Sequence, residues 1–179
     1  MGRIITIFGA SRGSGARPGT AAYEQAYRLG RLLAEAGFTI CNGGYGGTME
    51  ASAMGAREAG GSAIGITTAV FDPAPANLYI DDERKAPDFF ERLRRLITIA
   101  DACICLPGGI GTLTELHLTW TLFQTRAVPR RPLICVGPAW QAVLATYRDH
   151  LAVRPKDFEL IALVETVDEA VKEAIARIG

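Results

Sequence analysis

The sequence lacks the features that would place a protein in a membrane or on a nucleic acid. No apolar run approaches the roughly 20 residues that a transmembrane helix needs. The 19 basic residues are matched by 19 acidic ones, so there is no basic excess to hold DNA or RNA. The amino terminus leads straight into a strand-like run, without the small-residue cleavage site of a signal peptide. We therefore expect a compact cytoplasmic domain with neither a nucleic-acid nor a membrane partner.

Cysteine is also scarce, with 4 residues in a chain of 179, and each stands inside a short apolar run. Cys103 and Cys105 have a spacing that could suggest a pair of metal ligands. Alternation along a strand, however, would place both on one face of a buried sheet, where cysteine behaves as a small apolar residue. We therefore predict that all four cysteines, including Cys41 and Cys135, pack in the core and form no metal site or disulfide.

Short β-branched runs alternate with helical patterns from one end of the chain to the other. The predicted strands cover residues 4–8, 38–41, 63–66, 102–106, 133–136 and 160–164. The predicted helices cover residues 20–36, 48–59, 88–100, 112–127, 139–152 and 168–178. The strands are apolar throughout, as expected for a parallel sheet covered on both faces. The predicted fold class is therefore α/β, a single doubly wound, Rossmann-like domain over residues 1–179 with about six to seven strands.

One connection, over residues 67–87, is longer than the others and is rich in proline and acidic residues. A loop of this length in a compact domain is usually a lid or a binding loop, and residues 78–81 within it could form a short hairpin. Its acidic run, Asp81, Asp82 and Glu83, could ligate a metal, but a solvated turn is the favoured interpretation.

Three glycine-rich segments follow strands that would be neighbours in a doubly wound sheet. They are residues 9–15 after the first strand, 43–48 after the second and 107–112 after the fourth. With the usual strand order 3-2-1-4-5-6, ligands bind in the crevice between the first and fourth strands, where the order reverses. Each segment ends at or before a helix start, where free N–H groups and the positive end of the helix dipole favour a phosphate. We predict a phosphate site at this edge of the sheet.

Neither a dinucleotide nor pyridoxal phosphate is expected as a cofactor. The first glycine loop does not have the G-x-G-x-x-G register, and Asn42 and Gly43 stand where a ribose-binding acid would be needed. No Gly-Lys-Ser/Thr sequence follows a glycine run, which excludes a P-loop. The lysines, Lys85, Lys156 and Lys172, lack a convincing Schiff-base setting. We therefore predict no cofactor and no metal.

Two charged residues are candidates for chemistry near the predicted phosphate site. Thr112 and Glu115 have the spacing of a helix-capping box, so a purely structural role for both stays open. Glu115 would also lie one helical turn from the last glycine segment, where we expect the helix dipole to keep it ionised. Arg92 borders the apolar stripe of the third helix and could lean into the crevice, whereas Arg94 and Arg95 are expected in solvent.

The sequence resembles the LOG ("lonely guy") family, whose members were long labelled lysine-decarboxylase-like. Residues 107–115 match the family pattern P-G-G-x-G-T-x-x-E, and Arg92 matches the upstream arginine of the family. Residues 9–11 and 43–49 match the family's glycine segments after the first and second strands. The resemblance covers roughly residues 4–123.

The resemblance implies a phosphoribohydrolase, an N-glycosidase that cleaves a nucleoside 5′-monophosphate into the free base and ribose 5-phosphate. AMP or a cytokinin riboside monophosphate is the implied substrate. Glu115 would stabilise the positive charge that develops on the sugar and orient water, while Arg92 would bind the phosphate or the leaving base. The residues implied in substrate and phosphate binding are Ser11, Gly43, Gly44, Gly46, Gly108, Gly109, Gly111 and Thr112.

Two features keep a second function open. The lysine that the family usually has after the arginine is Leu93 here, and the usual flanking methionines are Phe89 and Leu96. Residues 46–50 also resemble the molybdenum-cofactor carrier proteins, which share this fold and bind rather than hydrolyse. The alternative is therefore a non-catalytic binding or carrier protein for a phosphorylated ligand, such as molybdenum cofactor or a nucleotide.

The helix predicted over residues 112–127 has two apolar faces. One face carries apolar residues at positions 116, 120, 123 and 127, and the other carries Leu118 and Leu122. A helix that covers one side of a sheet needs only one apolar face, although a neighbouring helix in a monomer could cover the second. We predict a homodimer packed through this helix, like the dimers of the resembling family, with Glu115 close to the subunit boundary.

Overall fold

The centre of the molecule is a parallel sheet of seven strands, seen in a computed structural model that describes residues 2–178. The strands are β1 Ile4–Phe8, β2 Thr39–Asn42, β3 Ala63–Gly65, β4 Asp82–Glu83, β5 Ala102–Cys105, β6 Leu133–Val136 and β7 Ile161–Val164. Their order is β4-β3-β2-β1-β5-β6-β7, and every neighbouring pair is parallel. The predicted reversal of strand order beside β1 and the α/β fold class are therefore confirmed. That residues 1–179 form one domain stays a prediction, and Met1 and Gly179 lie outside the described residues.

Helices connect the strands and cover both faces of the sheet. They are α1 Ala21–Glu35, α2 Thr48–Glu58, α3 Phe89–Thr98, α4 Ile110–Thr125, α5 Pro138–His150, α6 Pro155–Phe158 and α7 Val167–Ile178. Side chains of α1, α2 and α7 pack in one apolar cluster, and those of α3, α4 and α5 pack in another. Only α6 was not predicted, because its four residues are too few to establish a helical period. Within the described chain, no helix is both long and apolar enough to cross a bilayer.

The strands divide their side chains between these two clusters by simple alternation. Ile5 and Ile7 of β1 belong to the cluster of α1, α2 and α7, while Phe8 belongs to the other. All four cysteines lie in the cluster of α3, α4 and α5, where they are buried and free of disulfides. The predicted role of the cysteines as core residues is confirmed.

Two glycines allow α1 and α2 to pack closely. A Cβ atom on Gly30 would overlap the backbone carbonyl of Ser52, and one on Gly55 would overlap that of Tyr27. Larger side chains at these positions would push the helices apart.

The prediction of a short hairpin at residues 78–81 is wrong. The chain instead adds the parallel edge strand β4, because Asp81 bonds the exposed edge of β3 twice. Its backbone N–H donates to the carbonyl of Ala63, and its carboxylate accepts from the N–H of Ala63 at 2.8 Å. The preceding part of the connection forms a 3-10 turn, Ala69–Phe71, which places Phe71 beside the carboxyl end of the sheet.

The start and end of α4 also differ from the prediction of 112–127. The helix begins at Ile110 with Gly109 as N-cap, so Thr112 lies inside the first turn and does not cap it. It ends at Thr125, because Arg126 adopts a left-handed conformation with φ of 60°, and Ala127 is exposed beyond the helix. The capping-box interpretation of Thr112 and Glu115 is therefore wrong.

Candidate functional site

A cavity of about 540 Å³ lies at the carboxyl ends of β1, β2 and β5, where the order of the strands reverses. Most of the predicted site residues line it: Ser11, Gly43, Gly46, Arg92, Gly109, Gly111, Thr112 and Glu115. Gly44 and Gly108 do not. Gly44 is buried behind the cavity against Thr67, and Gly108 is exposed on the loop before α4. The structure thus brings residues from three glycine segments and α3 to one crevice.

Arg92 forms the floor of this cavity and is held firmly in place. Asp88 caps α3 by accepting a 2.8 Å hydrogen bond from the N–H of Glu91, which places Arg92 in the first turns of the helix. The Arg92 side chain donates from Nε to the carbonyl of Ile66 at 2.8 Å and from Nη2 to that of Gly43 at 3.4 Å. Only 5% of Arg92 is exposed. A Cβ on Gly43 would overlap the guanidinium, so glycine is needed there.

Glu115 faces Arg92 from α4, with 3.9 Å between Oε1 of the glutamate and Nη1 of the arginine. This distance gives strong electrostatic attraction without a direct hydrogen bond, so the carboxylate of Glu115 can still bond a ligand. Burial raises the pKa of Glu115 to about 7, although the charge of Arg92 opposes the shift. The expectation that the helix dipole keeps Glu115 ionised is met only in part near neutral pH, because α4 starts earlier than predicted and Glu115, largely buried, lies in its second turn.

The N-terminus of α4 is the part of the cavity best suited to an anion. The backbone N–H groups of Ile110, Gly111 and Thr112 have no protein acceptor among residues 2–178, and Gly109 offers no side-chain cap. The hydroxyls of Ser11 and Ser14, 3.2 Å apart, also line this opening, and Ser14 lies next to Gly109. Free N–H groups and the helix dipole together favour a phosphate.

The N-terminus of α2, in contrast, is partly occupied by protein. Both the N–H and the hydroxyl of Thr48 donate to the carbonyl of Ala10, at 2.9 and 3.0 Å. Gly47 makes this contact possible with a φ of 87°, and a Cβ there would lie 2.5 Å from the same carbonyl oxygen. The glycine segment after β2 therefore fastens the loop after β1 in position, and the segment before α4 offers the free donors.

Three aromatic rings, which we call the aromatic wall, line one side of the cavity and were not predicted as site residues. Tyr45, Phe71 and Phe89 form it, with ring centroids 5.5 Å apart for Tyr45–Phe71 and 6.3 Å for Phe71–Phe89. Tyr45 is fixed because its hydroxyl accepts from the N–H of Thr68 at 2.9 Å and donates to the carbonyl of Thr68 at 3.2 Å. The guanidinium of Arg92 lies 5.9 Å from the ring centres of both Tyr45 and Phe89. Phe71 could have been suspected from the sequence, because it lies in the long connection that was predicted to be a lid or binding loop.

The opening also contains Arg12, Ser14 and Met49, which were not among the predicted site residues. None of the three lysines lines the cavity. Within the described part of the chain, no group of three or more His, Cys, Asp and Glu side chains is arranged to hold a metal ion.

Comparison with known proteins places the chain in a family of known relatives. Residues 49–174 match a family described as "Possible lysine decarboxylase". The chain is 31% identical over 157 residues to the cytokinin riboside 5′-monophosphate phosphoribohydrolase of Mycobacterium tuberculosis, and the match covers 83% of each protein. It is 32% identical over 126 residues to the pyrimidine/purine nucleotide 5′-monophosphate nucleosidase of Escherichia coli, but spans only 28% of that protein. The molybdenum cofactor binding protein of Rippkaea orientalis has the same fold, with a TM-score of 0.81 at 20% identity over 100% of this chain and 99% of that one.

The parallel sheet and its glycine-rich crevice define a doubly wound α/β protein of Rossmann-like type. The chain belongs to the LOG family, whose family description still carries the older lysine decarboxylase label. The two curated relatives described above are named for the release of bases from nucleoside 5′-monophosphates, in agreement with the predicted N-glycosidase class of enzyme.

Proposed function

We propose that this protein hydrolyses the N-glycosidic bond of a nucleoside 5′-monophosphate, either AMP or a cytokinin riboside monophosphate. The products are the free base and ribose 5-phosphate. The observation that carries the proposal is the buried pair of Arg92 and Glu115, 3.9 Å apart at the base of a cavity that opens on a helix N-terminus. A carboxylate held in a largely apolar cavity can stabilise a ribosyl cation better than one in solvent.

The phosphate group is proposed to bind at the start of α4. The free N–H groups of Ile110, Gly111 and Thr112 would donate to its oxygens, together with the hydroxyl of Ser11. These donors would hold the ribose so that its C1′ atom faces Glu115. Binding through the phosphate thus contributes the orientation that the reaction at the other side of the sugar needs.

Glu115 acts in its ionised form. As the bond between C1′ and the base nitrogen breaks, the negative charge of Glu115 stabilises the positive charge that develops on the sugar. The carboxylate then accepts a proton from the attacking water, whose oxygen bonds to C1′, and the proton passes on to the departing base. Because the pKa of Glu115 is about 7, both the ionised and the protonated form are accessible near neutral pH. Arg92 holds the ionised form in place.

The base is proposed to lie against the aromatic wall. Tyr45, Phe71 and Phe89 offer ring faces and edges of the kind on which a planar base stacks. Phe71 is 44% exposed, so it has surface available for such a contact.

A direct assay tests the reaction. The protein is incubated with AMP, and free adenine is measured by chromatography. We expect adenine and ribose 5-phosphate in equal amounts. Binding of AMP without release of adenine would instead favour the alternative, a binding or carrier protein for a phosphorylated ligand.

A homodimer through α4 is also proposed. Leu118 and Leu122 remain half-buried, although each packs partly against the core of the same chain. Their uncovered surface lies on the same helix as Glu115, so a second subunit here would lie close to the cavity.

A further inference from the structure

A second arginine, Arg12, lines the opening of the cavity and differs from Arg92 in its surroundings. It lies in the 3-10 turn Arg12–Ser14 that follows β1. Its Nη2 atom is 2.8 Å from Oε2 of Glu50, in the first turn of α2. The side chain of Arg12 is 62% exposed, whereas that of Glu50 is 20% exposed. An ion pair this exposed contributes little to stability, so its partners can separate at small cost.

The loops around Arg12 are shaped so that it can lie across the opening. A Cβ on Gly46 would be 3.3 Å from Nε of Arg12, and one on Gly47 would be 2.6 Å from its backbone nitrogen. The far end of the same turn reaches the N-terminus of α4, since a Cβ on Gly109 would be 2.7 Å from the hydroxyl of Ser14. The turn that carries Arg12 therefore contacts both the glycine segment after β2 and the proposed phosphate site.

The cavity needs a further cation to balance the charge of a bound phosphate. Among the described residues that line it, the cations are Arg12 and Arg92. Arg92 already donates to the carbonyls of Ile66 and Gly43 and faces Glu115 with its remaining nitrogen. Neutral N–H groups at one helix end balance only part of the charge of a phosphate dianion. Arg12 is the exposed guanidinium that could supply the rest through a bidentate contact.

We propose that Arg12 is a phosphate-binding residue that exchanges partners when the substrate binds. In the free protein it pairs with Glu50, and in the complex it leaves Glu50 and binds the phosphate oxygens held at the start of α4. The exchange favours phosphorylated ligands over nucleosides, because only a phosphate offers enough negative charge to replace the carboxylate. This inference rests on the proposed function in one respect, namely that the ligand carries a 5′-phosphate.

The test uses ribose 5-phosphate, which is the proposed product and is not consumed. Its dissociation constant is measured by calorimetry for the wild type, Arg12→Gln, Glu50→Gln and the control Arg17→Gln, which removes an exposed arginine of the same loop that does not line the cavity. We expect Arg12→Gln to weaken binding on the order of ten- to a hundredfold, as for a lost charge-assisted hydrogen-bonded contact. Arg17→Gln should bind like the wild type, and Glu50→Gln should bind severalfold more tightly because Arg12 is then free.

Two results would overturn the inference. Binding by Arg12→Gln within twofold of the wild type would show that Arg12 does not contact the phosphate, and weaker binding by Glu50→Gln would show that Glu50 does not compete with it. If Arg12→Gln folds poorly, the dissociation constant of Glu50→Gln still tests the inference, because Arg12 is intact in that variant. A wild type that binds ribose 5-phosphate through Arg12 but releases no adenine from AMP would refute the hydrolysis and leave this inference standing. A wild type that does not bind ribose 5-phosphate would overturn the inference even if adenine is released.

Discussion

Replacement of Glu115 by Gln should separate the catalytic role of this residue from its effect on stability. The substitution keeps the size of the side chain and removes its charge. We expect adenine release from AMP to fall by a factor of about a hundred or more, because a charge aimed at the transition state is lost. The affinity for AMP should change little, since the phosphate and the base are bound by other groups. A variant that releases adenine at the wild-type rate would refute the proposed role.

The same substitution should stabilise the fold at alkaline pH. The pKa of Glu115 is raised by burial from 4.5 to about 7, so the unfolded chain ionises at a lower pH than the folded one. Below the pKa of Glu115 in the unfolded chain, the residue is protonated in both states, and its titration does not change the free energy of unfolding. As the pH rises from about 4.5 to 7, ionisation increasingly favours the unfolded state, and above this range the loss of stability reaches about 3 kcal/mol.

Urea unfolding at two pH values measures this effect. The gain in unfolding free energy from Glu115→Gln should be about 3 kcal/mol at pH 8 and less than about 1 kcal/mol at pH 5. Glu24→Gln, at an exposed position of α1, is the matched control and should show no comparable gain. An equal gain at both pH values for Glu115→Gln would refute the titration argument.

In the wild-type enzyme, kcat/KM for AMP should rise with pH and level off above about 7, because the ionised form of Glu115 is the active one.

Three further substitutions test other parts of the site. Gly43→Ala should displace the guanidinium of Arg92, and we expect at least a tenfold loss of adenine release with about 1–3 kcal/mol lower stability in urea unfolding; unchanged kinetics would contradict this. Phe71→Ala should raise KM for AMP by about tenfold without changing the affinity for ribose 5-phosphate, because it removes stacking with the base alone; equal losses for both ligands would argue against a base contact. Leu118→Glu combined with Leu122→Glu should convert a dimer into a monomer in sedimentation experiments, and a wild type that sediments as a monomer at micromolar concentration would rule out the dimer.

The pattern of the sequence was sufficient to predict the architecture and the place of the cavity that holds the candidate site. Continuous apolar runs predicted the buried parallel strands, and six of the seven strands were found with bounds within two residues of those observed. The exception, β4, consists of two exposed acidic residues, which carry no apolar signal. The glycine segments predicted the crevice, because the carboxyl ends of adjacent parallel strands meet at one edge whatever the loops contain. These are properties of local patterns and of topology.

The chemical state of the site depended on contacts between residues that are distant in the sequence. Position within a helix predicted an ionised Glu115, but the burial that raises its pKa comes from packing around the whole cavity. The partners of Arg92 are carbonyls that lie 26 and 49 residues away along the chain. Arg12 and Phe71 lie in loops that were expected near the site, but only the folded chain shows that their side chains reach the opening. The sequence determined which backbone ends meet, whereas charge, protonation and the aromatic wall were decided by tertiary structure, since burial and electrostatic interaction depend on distances in space.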